Sequence, residues 1–186
     1  MLCYPKHSEG SLPLFIINYK PIMNVLLSRV IELQHAAHEL MYLGMDGEPI
    51  YSDHFCRLNK EVLVKSDSLY PSKSADIEEE ANLCLALFMG YNATIYDNGD
   101  KGQKKQAILD RIYTVLEHLP VSLLKVRLMT YCYGEIYEES MLQEARTIIG
   151  TWQNEELTPG QKEIIKELEN IEENPYPWED MADDAQ

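Results

Sequence analysis

The sequence predicts an all-α protein in which about seven short helices pack as antiparallel helical hairpins around one buried central helix, residues 77–91. Three observations predict this fold class. Apolar residues recur at spacings of three and four along most of the chain, which is the period of an amphipathic helix. The stretch 81–91 is apolar on nearly every helical face, as in a helix packed on several sides. No stretch alternates polar and apolar residues as a half-buried strand would.

The domain organisation follows from length and composition. A chain of 186 residues, 45% of them hydrophobic, is long enough for one domain with a packed core. We expect this single helical domain at 23–173. The segment 1–22 has three prolines and no helical period, so it is either a poorly ordered arm or an extended arm docked on the core. Met23 is a candidate natural start of the protein, and 174–186 is expected to be an extended acidic tail.

The first two helices are each predicted from an apolar stripe on one face. Helix one is predicted at Met23–Leu43 and helix two at Asp53–Leu69. Gly44 is expected to end the first helix, because glycine tolerates the positive φ that often follows a helix. Pro71 stops the second.

Helix three is predicted to open at Ser74, a good N-cap, with Asp76 and three glutamates near its positive N-terminus. It then runs through the apolar stretch to Tyr91. A run of eleven residues is too short to cross a bilayer, which needs about 20, so we expect this helix in the core. The residues that follow form a polar, turn-rich loop in which Gly99 and Gly102 serve the turn and the entry to helix four.

Helices four to six are predicted at Gly102–Leu119, Ser122–Tyr133 and Glu138–Trp152, where apolar stripes return. Pro120 breaks the fourth helix and Gly134 is expected to end the fifth. The short connections suit stacked antiparallel hairpins.

Helix seven has the clearest start signal in the chain. Thr158 is the predicted N-cap, Pro159 takes the first helical position and Gln161 completes a capping box. Its buried stripe then extends to Ile171.

The charge balance limits the partners. Lys and Arg number 16 against 31 Asp and Glu, a formal net charge of −15. Such a field repels nucleic acid and anionic lipid, so we expect no direct nucleic-acid contact and no membrane contact. It favours a basic protein partner, or serves solubility alone.

Four cysteines without a CxxC pair argue against a disulfide framework or a zinc site. With no signal-peptide pattern, the expected compartment is the cytoplasm.

One histidine group raises the alternative of metal chemistry. His35 and His38 lie three residues apart on helix one, with Glu39 beside them and His54 as a conceivable third ligand. Zinc peptidases use HExxH or HxxEH, and HxxHE is neither. A solvated helix face is the favoured interpretation. Serine nucleophile elbows, P-loops and dinucleotide fingerprints are also absent, so the sequence predicts no enzyme and no cofactor.

Tyrosine is the unusual residue of the composition, with 12. Several tyrosines cluster near helix ends and beside the polar loop, where a large ring suits a protein interface. The alternative is that these rings are buried and only the hydroxyls reach water. The candidate partner-binding residues are Tyr91, Tyr96, Asp97, Tyr131, Tyr133 and Tyr137.

Four long stretches resemble the UpxZ family of Bacteroides: AHELMYLGMDGEPIYSDHF (37–55), ANLCLALFMGYNATIYDNGDK (81–101), LLKVRLMTYCYGEIYEE (123–139) and ENPYPW (173–178). The resemblance spans the chain from about Met23 to Trp178. It implies a small cytoplasmic regulator of capsular polysaccharide expression. Family members antagonise NusG-like (UpxY-type) antiterminators of other capsule loci, so the implied partner is such a protein, alone or on RNA polymerase. The resemblance assigns no functional residues.

The residues and the resemblance together give one hypothesis and two alternatives. An acidic face with tyrosines as anchors would occupy a surface that a non-cognate antiterminator needs, and charge would steer the encounter. The first alternative is a metal-binding protein or enzyme that uses His35 and His38. The second is a helical scaffold whose partner is unrelated to transcription.

Overall fold

The structure, a computed structural model, describes residues 25–44, 49–152 and 156–173, and this part of the chain is all-α, as predicted. The predicted arm at 1–22, the candidate start at Met23 and the predicted tail at 174–186 lie outside the described residues. Seven helices form in the described part: α1 (Val25–Met41), α2 (Ser52–Leu69), α3 (Ile77–Ala93), α4 (Lys101–His118), α5 (Leu123–Ile136), α6 (Glu139–Thr151) and α7 (Pro159–Glu173).

Helix α3 is the centre of the molecule. Every residue from 83 to 91 is buried, and α3 contacts α1, α2, α4 and α5. A helix that is apolar on all faces loses the most contact with water when neighbours cover it on several sides, which is why this element takes the centre. The prediction of a buried central helix is confirmed. Within the described ranges, no helix combines the length and apolarity that a membrane crossing requires.

Four of the six pairs of consecutive helices in the described residues pack against each other. Contacts join α1 to α2, α2 to α3, α3 to α4 and α5 to α6, while α7 packs on α5. Short connections bring successive helices together in this way. The antiparallel direction within each hairpin stays a prediction.

The predicted N-cap of helix three was wrong by two residues. Asp76, not Ser74, is the N-cap of α3, and its carboxylate accepts a hydrogen bond from the backbone N–H of Glu79 at 2.8 Å. The Ser74 hydroxyl instead donates to the Glu80 carboxylate. Both residues are good caps by type, and the serine is engaged by a side chain further along the helix.

The predicted start of α7 is confirmed. The backbone N–H of Thr158 donates to the side-chain oxygen of Gln161 at 2.9 Å, and the Thr158 hydroxyl oxygen accepts from the backbone N–H of Gln161 at 3.3 Å. These reciprocal bonds satisfy donors that the first helical turn leaves unpaired.

Helix α5 runs past the glycine that was expected to end it. Gly134 lies inside α5, where a Cβ atom would sit 3.3 Å from Ile171 of α7. This glycine therefore permits a close approach between two helices. The helix ends at Tyr137, whose φ of 54° is left-handed.

Gly90 marks a second close approach, at the point where α1, α2 and α3 meet. A Cβ atom there would clash with the hydroxyl of Ser66 and would lie 3.0 Å from a methyl group of Leu33. The absence of a side chain lets the central helix lie against both neighbours.

Candidate functional site

A cleft of about 440 Å³ opens between α1 and α7, with residues of α3 and α5 completing its lining. Its volume lies within the range of about 300 to 1,000 Å³ usual for binding pockets. We call it the α1–α7 cleft. It is lined by Gln34, His35, His38, Tyr42, Leu85, Met89, Arg127, Tyr131, Glu163, Lys166, Glu167 and Asn170.

Helical spacing places these side chains. Tyr42 directly follows α1 and its backbone N–H still donates to the carbonyl oxygen of His38, four residues earlier, so the two side chains share a face and their ring centroids lie 4.4 Å apart. Glu163 and Glu167 have the same spacing on α7. Helix α5 meets α7 through an ion pair in which Arg127 Nη2 lies 3.0 Å from Glu163 Oε2.

The electrostatics of the cleft centre on Glu167. Burial raises the pKa of this carboxyl, and the charge of Glu163 adds to the effect. A hydrogen bond from the Tyr131 hydroxyl to this carboxylate lowers the pKa, as do the nearby His38 and Arg127, but together they do not reverse the shift. The surroundings of Glu167 therefore hydrate the charged form of its carboxyl poorly.

The same environment raises the pKa values of the two tyrosines of the cleft, Tyr131 and Tyr42. Burial raises the pKa of Tyr131, and the charge of Glu167 raises it further. The pKa of Tyr42 is raised by burial first and then by Glu167 and Glu163. Both hydroxyls thus remain protonated at neutral pH and can donate hydrogen bonds.

The six predicted partner-binding residues fall in separate places, and only Tyr131 lines this cleft. Tyr91 lies in the core with 0% of its surface exposed. Its hydroxyl donates to Asp67 at 2.7 Å. In this fold Tyr91 has no surface to offer a partner, which corrects its assignment as an anchor. The physical reason is that it belongs to the apolar central helix.

Asp67 of α2 organises the region around Tyr91. It also accepts hydrogen bonds from Asn98 Nδ2 and Lys104 Nζ, each at 2.7 Å. Partial burial raises the pKa of the Asp67 carboxyl, but the bonds from Lys104, Tyr91 and Asn98 more than offset it, so its pKa lies below the usual value. One carboxylate therefore ties together α2, α3, α4 and the connection before α4.

Tyr96 and Asp97 lie in that connection, residues 94–100. The Asp97 carboxylate accepts from the backbone N–H groups of Gly99 at 2.7 Å and Lys101 at 3.0 Å, and these bonds, Lys101 first, lower its pKa. Gly99 adopts a φ of 90°, as its predicted turn role requires. Tyr96 is half-buried and interacts with the Cys56 thiol, which raises the pKa of Tyr96.

Asn59 of α2 holds the start of the same connection. Its side-chain oxygen accepts from the Ile95 backbone N–H at 2.9 Å and from the Thr94 hydroxyl at 3.2 Å. These hydrogen bonds hold in place the start of the turn-rich loop that the sequence predicts.

Tyr133 and Tyr137 lie together at the end of α5. Their rings meet edge to face with centroids 5.8 Å apart. Tyr133 packs against the core, while Tyr137 is exposed and holds the left-handed backbone conformation that is rare for a large side chain. Strained residues of this kind cluster at functional sites, so Tyr137 remains a candidate contact outside the cleft.

The sequence reasoning missed Tyr42, Glu163 and Glu167. Tyr42 follows the last turn of α1, and its spacing of four from His38 was the available signal. The two glutamates are not distinguished by type from the other acidic residues of a chain that has 31 Asp and Glu. Their spacing of four on α7 shows that they share a face, although it does not show which element that face meets.

The histidines of the metal alternative divide between two places. His35 and His38 line the α1–α7 cleft, whereas His54 Nε2 lies 3.6 Å from Glu39 and its Nδ1 lies 2.9 Å from Arg57 Nη2. Among the residues that the structure describes, no three His, Cys, Asp or Glu side chains form a group that could hold a metal ion.

The fold and cleft define a small all-α protein with a polar cleft that tyrosines help to line. Residues 30–134 match the UpxZ family of transcription anti-terminator antagonists. A transcription anti-terminator antagonist UpxZ from Bacteroides uniformis, known from a crystal structure, is 65% identical, with 84% of this chain and 97% of that chain covered and a TM-score of 0.72. No curated protein matches. The chain belongs to the UpxZ family, which has a regulatory role.

Proposed function

We propose that this protein antagonises NusG-like (UpxY-type) transcription antiterminators of non-cognate capsular polysaccharide loci by binding them in the cytoplasm. Membership of a family of transcription anti-terminator antagonists is the observation that carries the proposal. Antagonism by binding needs a surface rather than a catalytic centre. Proteins that handle RNA polymerase and nucleic acid carry basic surface, and the formal net charge of −15 on this chain complements it.

The α1–α7 cleft is our proposed contact surface. It combines tyrosine rings just after α1 and on α5 with glutamates on α7, and aromatic residues supply much of the binding energy at protein interfaces. Tyr131 carries over from the sequence hypothesis, with Tyr42 and Glu167 added. Tyr96, Asp97, Tyr133 and Tyr137 remain proposed secondary contacts outside the cleft.

The test is a pull-down of this protein against a panel of purified NusG-like antiterminators from several capsule loci, its own included. Each antiterminator is offered alone and assembled on RNA polymerase, because the target surface could form only in that complex. Binding to non-cognate members and not to the cognate one is the expected result. Failure to bind any member in either form, or binding only to the cognate one, would refute the proposal.

A further inference from the structure

Glu167 differs from the other glutamates that line or flank the α1–α7 cleft. Glu163 pairs with Arg127, and Glu172 pairs with Arg146 of α6. Glu167 has no ion pair with any residue of the described ranges, although it is partly buried. A carboxylate in this position gains more from an added cation than a fully hydrated one would, because less water must be displaced from it.

Aromatic side chains line the cleft together with this carboxylate. His38 of α1, Tyr42 just after α1 and Tyr131 of α5 line the same cleft as Glu167, and Tyr131 also forms a side-chain hydrogen bond with the Glu167 carboxylate. The face of an aromatic ring attracts cations. A cleft that holds both a carboxylate and aromatic rings suits a guanidinium group, which is planar, stacks on rings and pairs with carboxylate oxygens.

The cleft's own cations leave room for this ligand. Arg127 is already paired with Glu163 at 3.0 Å, so its charge is largely balanced. Lys166 is exposed on α7, where water screens it. Neither forms an ion pair with Glu167 among the described residues.

We propose that the α1–α7 cleft receives an arginine side chain of the antiterminator, with the guanidinium on the Glu167 carboxylate and against the rings of Tyr42 and Tyr131. The identity of the partner rests on the proposed function, whereas the chemistry of the cleft does not. The inference assigns Glu167 as a specificity-determining residue, because an acidic or neutral side chain at the same place would leave its charge unpaired.

The first experiment tests the cleft without any partner. Full-length protein labelled in its methionine methyl groups is titrated with Nα-acetyl-arginine methylamide, and the isosteric but uncharged citrulline derivative serves as the control ligand. Met89 lines the α1–α7 cleft, while Met141 lines a different cleft between α4, α5 and α6 and is the internal reference. We expect a saturable shift of the Met89 signal with a millimolar dissociation constant for the arginine derivative.

Variants on α7 locate the effect. Glu167→Gln keeps the shape of the side chain and should weaken arginine binding at least about tenfold, since a charged hydrogen-bonded pair is lost. Glu169→Gln, a matched change at an exposed position of the same helix, should leave binding unchanged. Equal shifts with the citrulline derivative, no Met89 shift at all, or unaltered binding by the Glu167→Gln variant would each overturn the proposal.

A second experiment separates this inference from the proposed function. The same two variants are compared for affinity toward the antiterminator retained in the pull-down. A loss of about tenfold or more for Glu167→Gln alone supports the inference in the complex, and equal affinities of both variants overturn it there. Arginine binding in the cleft without capture of any antiterminator would support the chemistry of the cleft and refute the proposed partner.

Discussion

The role open to each tyrosine depends on its own burial and hydrogen bonding, which differ from one tyrosine to the next. Tyr91 is held in the core by Asp67, whereas Tyr42 is 39% exposed at the cleft. The same residue type therefore serves stability in one place and is available for binding in the other. Three predictions belong to this scale.

The first prediction concerns the cleft. Tyr42→Ala should reduce affinity for a captured antiterminator at least about tenfold, since truncation of a central aromatic contact costs about 2 kcal/mol or more. Tyr113→Ala is the control, because Tyr113 of α4 is also 39% exposed but lies outside the cleft. Titration calorimetry measures both. Equal losses would mean that exposed tyrosines contribute without regard to position.

The second prediction concerns Asp67. Asp67→Ala leaves the hydroxyl of buried Tyr91 without its acceptor, so the free energy of unfolding should fall by about 1–3 kcal/mol. Asp110→Ala, at an exposed position of α4, should change it by less than about 0.5 kcal/mol. Urea denaturation followed by circular dichroism gives both values. Similar stability of the two variants would show that the Asp67 network adds little.

The third prediction is a pH dependence. The pKa of Asp67 is lowered in the folded protein by its hydrogen bonds, so its stabilising contribution is present above the unfolded pKa and is lost as pH falls through the folded one. The unfolding free energy of the Asp67→Asn variant should therefore fall less than that of the wild type between about pH 6 and about pH 3. Parallel pH profiles of the two proteins would contradict the assignment.

At the scale of elements, close helix contacts depend on two glycines. Gly134 and Gly90 both lie inside helices. From the sequence alone, Gly134 is expected to end its helix and Gly90 has no assigned role. The first faces Ile171 of α7, and the second faces Ser66 of α2 and Leu33 of α1. Their use as spacers depends on packing partners far away along the chain.

A matched pair of substitutions tests this reading of the central helix. Gly90→Ala should lower the unfolding free energy by about 1–3 kcal/mol, because the added methyl group overpacks the contact with Ser66 and Leu33. Gly150→Ala in α6 meets no atom within 4 Å, so it should raise stability by up to about 1 kcal/mol through helix propensity. Thermal or urea denaturation shows the opposite signs. A stabilising Gly90→Ala change would refute the close-packing argument.

At the scale of the whole molecule, the dominant property is the net charge of −15. A charge of this size acts over distances beyond any single contact and steers oppositely charged partners toward the protein. The tyrosine and arginine contacts proposed above would then hold the complex after encounter.

The corresponding prediction is a salt dependence of association. The association rate constant with a captured antiterminator should fall steeply as ionic strength rises from about 50 mM to about 500 mM, while the dissociation rate constant changes less. Surface plasmon resonance at several salt concentrations measures both. Association indifferent to ionic strength would count against steering by charge.

Patterns in the sequence were enough to predict about seven helices, which matches the seven of the described residues. They also predicted the buried position of α3 and the cap at Thr158, and four distinctive stretches indicated the UpxZ family. Each of these features depends on a local pattern: the spacing of apolar residues, the type of the capping residues, or a continuous stretch of family-like sequence. The start of α3 was missed because Ser74 and Asp76 are both good caps, and only the completed hydrogen bonds distinguish them.

Which residues come together in the cleft depends on tertiary packing. The cleft joins residues of α1, α3, α5 and α7, and nothing local indicates that Glu167 meets Tyr131 and Tyr42 while Tyr91 turns into the core. A helical period shows which residues share a face, but not which face another helix will cover. That choice is made by the packing of the whole chain, because burial is a property of the assembled helices and not of any segment alone.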